Sequence, residues 1–74
     1  MSDDWAAQAL RDATALGILR QVTSLIGGCR IIIGIDTYCI EVPTAEGTFK
    51  IVAEHKKLDN AVAEAIAAHG REEW

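Results

Sequence analysis

Cys29-Arg30-Ile31-Ile32-Ile33-Gly34-Ile35-Asp36-Thr37-Tyr38-Cys39-Ile40-Glu41-Val42-Pro43 is the stretch that decides the fold. Cys29 to Ile35 is rich in β-branched isoleucine and too short for a helix, so it predicts a strand. Gly34-Ile35-Asp36-Thr37 reads as a turn. From Tyr38 the pattern alternates, with Tyr38, Ile40 and Val42 on one side and Cys39 and Glu41 on the other. Thr44-Ala45-Glu46-Gly47 follows as a hairpin loop ending on glycine. Thr48 to Glu54 alternates again, Phe49, Ile51 and Ala53 against Lys50, Val52 and Glu54. The three runs predict an antiparallel three-stranded meander. The first strand is apolar on both faces, which predicts a central or doubly covered position.

Both flanks read as helix. The first runs from about Asp3 to Ile26. Ser2, Asp3 and Asp4 supply an N-cap and first-turn carboxylates, and Gly27-Gly28 is a strong stop. Trp5, Ala9, Ala13 and Leu16 share one face of its first half, which places Trp5 toward the core. Ile18, Leu19, Val22, Leu25 and Ile26 share a face turned by roughly a third of a turn in its second half. Gly17 sits at the change. Either the helix bends there, or it stays continuous and buries two faces against two neighbours. The second helix spans Leu58 to His69. Leu58, Ala61, Val62, Ala65, Ile66 and His69 form its apolar stripe, Asp59, Asn60, Ala63, Glu64 and Ala67 lie opposite, and Gly70 is its expected C-cap.

The expected fold is therefore α+β in the order helix, three-stranded antiparallel meander, helix (α-β-β-β-α), as one domain over residues 1–74. Both helices are expected on one sheet face. A 74-residue chain buries only about 60% of its unfolded surface, so partner chains often complete such folds. Half of the residues are apolar, more than so small a core hides. The rotated stripes and the doubly apolar strand predict a homodimer, with Ile18, Val22, Leu25 and Ile32 as self-association residues.

The net charge is −4, which argues against a nucleic-acid binder acting through bulk positive charge. Met1 to Gln8 has no basic segment of the secretory kind, and no apolar run approaches the ~20 residues of a membrane span. The two cysteines are too few for a disulfide-built secreted domain. The expected setting is the cytoplasm, with Cys29 and Cys39 as buried, inert thiols. They are not expected to pair, because a turn near residues 35 and 36 sets Cys39 across from about Ile33.

No catalytic residue, cofactor or metal is expected. His55 reads as a polar connector in Glu54-His55-Lys56-Lys57. His69 reads as a capping or core-packed residue at a helix end. Cys29, Cys39, His55 and His69 lack the close-set ligand pairs of zinc modules. Gly27-Gly28 ends a helix rather than joining a strand to one, so it is no dinucleotide fingerprint, and no P-loop is present. Ser2 and Ser24 lack a nucleophile-elbow context. An enzyme with a site built across a dimer, using His55, is the catalytic alternative.

What remains is surface. Arg30, Lys50, Lys56 and Lys57 gather as either a solvated rim or a small basic patch. Trp74, after Glu72 and Glu73, is either a loose end or an anchor for a partner chain. These five residues are the expected partner-binding set, and the partner is a protein or nucleoprotein complex.

The stretch from Phe49 through Glu54-His55-Lys56-Lys57 to Leu58, Ala61 and Glu64-Ala65-Ile66 is similar to the strand–helix segment of HicB-like antitoxins. That resemblance implies an antitoxin-like or regulatory module that binds another protein. In size, acidity and α+β content the whole chain resembles small phage- and prophage-encoded anti-CRISPR proteins. That resemblance implies a non-enzymatic inhibitor that occupies the surface of a CRISPR effector. Neither brings a functional residue with it.

Overall fold

The computed structural model describes residues 4–74 and has the expected order of elements. Helix α1 spans Asp4–Thr23 and continues into a 3-10 turn, Ser24–Ile26. Strands β1 (Arg30–Ile33), β2 (Tyr38–Pro43) and β3 (Phe49–His55) follow, then helix α2 (Leu58–Gly70). The expected cap at Ser2 and Asp3 lies outside the described residues; Asp4 stands in the first turn. Gly27 and Gly28, at φ +92° and +99°, end the first helical segment as expected. The Gly28 N–H donates to the Thr23 carbonyl at 2.8 Å.

The sheet is an antiparallel meander in the order β1-β2-β3. The central strand is therefore β2, and β1 lies at an edge. That corrects the expectation of a central or doubly covered first strand: Ile31 is half-buried, and Ile32 and Ile33 are exposed. Cys39 faces Ile32, one residue from the expected partner. Gly47 closes the β2–β3 loop at φ +84°, a conformation that suits glycine.

A β-bulge breaks the alternation of β3. Ile40 faces Ala53 while the next residue, Glu41, faces Ile51. Val52 is thus extra, and it switches the strand's faces. Ala53 joins the helix-covered side, while Phe49 and Ile51 stay on the open side. The expected grouping of all three on one face is corrected.

Both helices lie on one face of the sheet. Leu19, Ile40, Ala53, Ala61, Val62 and Ala65 form the core. The alanines on α2 and β3 carry little volume, so helix and sheet can approach closely. Arg11 reaches Asp59 at the start of α2, at 3.9 Å. Ile26 and His69 meet along one groove at the far end. The helices thus run side by side in the same sense.

The α1 helix is continuous through Gly17. Its inward stripe is Gln8, Asp12, Ala15, Leu16, Leu19, Val22 and Thr23, of which only Leu19 and Thr23 are fully buried. The Thr23 hydroxyl donates to the Leu19 carbonyl at 2.8 Å, satisfying its buried oxygen. Trp5, expected in the core, is 68% exposed. It shares an angular position with Thr23 but stands five turns earlier, ahead of the start of α2. The result is an elongated molecule, 48 × 24 × 19 Å.

α2 runs to Gly70, and the left-handed residue after it is Glu72 at φ +61°, not the expected glycine. No described helix is long and apolar enough to cross a membrane.

Candidate functional site

Among the described residues, one face of the sheet has no layer over it. Ile32 projects there from β1, Cys39 and Glu41 from β2, and Phe49, Ile51 and Glu54 from β3, following the register and the bulge. Ile32, Phe49 and Ile51 are 46%, 42% and 55% exposed. Among them lies a charge pair. Arg30 and Glu41 face each other across β1 and β2. The Arg30 Nε and Nη2 donate to Glu41 Oε1 at 3.0 and 2.7 Å. The guanidinium also sits 3.9 Å from the centre of the Phe49 ring. A cation over an aromatic face is attracted by the ring quadrupole. Arg30 thereby shields Glu41, which is nearly buried although no described element covers it.

Cys39 lies on the same face. Its thiol donates to Glu54 Oε2 at 3.2 Å. That hydrogen bond, with partial desolvation and the nearby charges of Glu54 and Glu41, holds the thiol above its ordinary range. Cys29 stands elsewhere, in the groove between α1 and β1. Both are free thiols and both are half-exposed rather than buried, which corrects the expectation of interior cysteines.

The expected partner-binding set is not gathered in one place. Arg30 belongs to the open sheet face. Lys50 turns to the helix side, where its ammonium donates to the Glu73 carbonyl. Lys56 and Lys57 sit in the exposed link between β3 and α2. By strand rise that link lies roughly 20 Å from the Phe49 end. Trp74 folds back onto α2: its indole N–H donates to the Ala65 carbonyl at 2.9 Å, and its ring lies 4.4 Å from that of His69. Arg71 pairs with Glu73 at 2.5 Å, holding that exposed carboxyl below its ordinary range. His55 is exposed at the end of β3, facing Tyr38. Among the described residues, no group of three or more His, Cys, Asp or Glu is placed to hold a metal ion.

Of the expected self-association residues, Ile18 and Leu25 are exposed, Val22 is half-buried, and Ile32 stands half-exposed on the open face beside the free edge.

Phe49 and Ile51 were not legible in the sequence as surface residues, nor Glu41 specifically as the partner of Arg30. The one signal for Glu41 is a glutamate amid apolar neighbours in a strand, which calls for a cation opposite.

The chain matches no family model, no curated protein and no solved structure.

Proposed function

We propose that this chain is a non-enzymatic binding protein acting in the cytoplasm as an inhibitor of a macromolecular complex, of the anti-CRISPR type. One observation supports the reading: an uncovered sheet face presents Ile32, Phe49 and Ile51 around a shielded Arg30–Glu41 pair. Aromatic side chains and arginine are the residue types enriched at energetically dominant contact points, and an ion pair ringed by apolar groups gives such a face orientation as well as affinity. The net charge of −4 favours a partner with a basic surface. In this reading the chain works as a homodimer.

The test is a tagged-protein pulldown from a CRISPR-bearing host, combined with a phage interference assay. The expected result is recovery of an effector subunit and loss of immunity, both abolished by Phe49→Asp. Recovery of no effector subunit, with immunity intact, would overturn the reading. The strand–link–helix order over residues 49–66 favours one alternative, a HicB-like antitoxin or regulatory module. Capture of a small toxin encoded beside this gene would establish that instead.

A further inference from the structure

β1 is the most apolar strand of the chain, yet it lies at a free edge. The Gly34 N–H donates to the Thr37 carbonyl at 2.8 Å, closing the β1–β2 hairpin on a bonded pair. Antiparallel ladders alternate bonded and non-bonded pairs. Counting back along the register, Ile32 and Arg30 bond to Cys39 and Glu41, whereas Ile31 and Ile33 turn their N–H and C=O groups to the free edge. Unpaired main-chain groups flanked by isoleucine form a template for another strand.

Beside this edge lies a groove of about 540 Å³ between α1 and β1, lined by Leu16, Leu19, Arg20, Thr23, Cys29 and Ile31 among others. Ile33 shares the sheet face of Ile31 and is 73% exposed. The chain thus carries an open groove and, two residues along the same edge, an exposed apolar side chain.

We infer that β1 pairs antiparallel with β1 of a second copy about a two-fold axis at Ile32, giving one continuous six-stranded sheet. This inference rests on the homodimer reading and specifies its seam. Facing residues in an antiparallel pair share a sheet face, and Ile31 and Ile33 carry the free main-chain groups. Centring on Ile32 satisfies both conditions within the strand. Ile31 then faces the partner's Ile33 in a bonded pair, and Ile32 faces the partner's Ile32 in a non-bonded one. The partner's Ile33 lands beside Ile31, at the mouth of the groove.

Arg30 comes opposite the partner's Gly34, which has no side chain to crowd it. The edge presents Ile32 and Ile33, 46% and 73% exposed, to the same strand of the second copy. The pairing also gives β1 the interior position that its two-sided apolar pattern requires. It sets two Arg30–Phe49 patches on one continuous face, so a partner with repeated sites is engaged bivalently.

Light scattering at increasing concentration, with far-UV circular dichroism as the fold control, tests the seam. The wild type should move toward twice its 8.0 kDa chain mass at micromolar concentration. Ile33→Asp should raise the dissociation constant roughly 30-fold or more while keeping its helix signal. In a Cys29→Ser/Cys39→Ser background, Ile32→Cys should form a disulfide-linked dimer under mild oxidation, because non-bonded pairs approach to ~4.5 Å between Cα atoms. Ile35→Cys, at the turn tip, should not. A wild type monomeric at about 100 µM, far above a micromolar dissociation constant, overturns both the dimer reading and this seam. A dimer that survives Ile33→Asp and that Ile32→Cys does not cross-link overturns the seam alone. If Ile33→Asp does not fold, the Ile32→Cys result decides.

Discussion

The two faces of the sheet are made from the same strands and solve burial differently. On the helix side, Ile40, Val42 and Ala53 are at most 4% exposed, under Leu19, Ala61, Val62 and Ala65. On the open side the described residues form no second layer, yet Glu41 is only 9% exposed. There the cover comes from neighbours: Arg30 reaches from β1 to Glu41 on β2 and lies on Phe49 of β3. One face is therefore organised by packing between layers, and the other by side chains leaning on one another within a layer. The first holds the fold together. The second can be altered with little loss of fold, which is the property a contact surface needs.

The largest test of that comparison is Ile40→Ala. A fully buried isoleucine between two helices and the sheet should cost about 3 kcal/mol in denaturant unfolding; a loss below ~1 kcal/mol would mean that the helix side is not the core. Next comes Arg30→Ala. It strands the Glu41 carboxylate, whose side chain is 11% exposed, but Arg30 itself is half in solvent. The expected loss is about 1–2 kcal/mol, discounted for that screening. The double variant with Glu41→Ala should recover part of it, and a double variant that merely adds the two losses would show that the pair is not coupled. Ile51→Ser should then change stability by about 0.5 kcal/mol or less, while weakening partner capture at least tenfold. A large stability loss at Ile51 would show the open face to be structural after all.

The smallest effect concerns Cys39. Its thiol titrates above the ordinary range chiefly because it donates to Glu54. Less thiolate is present at a given pH, so alkylation should be slow between about pH 7 and 9. Glu54→Gln removes the charge and the strongest acceptor, the titration moves down, and the rate at fixed pH should rise several-fold. An unchanged rate in a Cys29→Ser background would show that Glu54 does not control the thiol.

The meander was legible because β2 alternates cleanly and glycine ends the loop after it. The bulge was not: Val52 is apolar, so β3 reads as an unbroken alternation whether or not one residue is extra. The position of Trp5 was hidden by length. It lies on the inward stripe of α1, but α1 has 20 residues and α2 has 13, and a stripe buries only where a neighbour runs beside it. The polar members of that stripe, Gln8, Asp12 and Thr23, masked the true contact line. The fold class could thus be read from local pattern. The open-face cluster could not, because Arg30, Glu41 and Phe49 meet only through strand pairing.

The seam between α1 and α2 joins the two ends of the chain. Leu19 and Ala61 are separated by the entire meander, whose strands pair only with their neighbours in sequence. Short-range hairpins close quickly, and long-range contacts are expensive in chain entropy until the middle is in place. The order this predicts has the strands and α2 assembling first and α1 docking last. Run backwards, the same order makes α1 the unit that opens alone. Its amides should exchange with solvent through a partial opening that leaves β2 protected. During that opening Ile40 and the alanine face of α2 meet water briefly, long before the sheet comes apart.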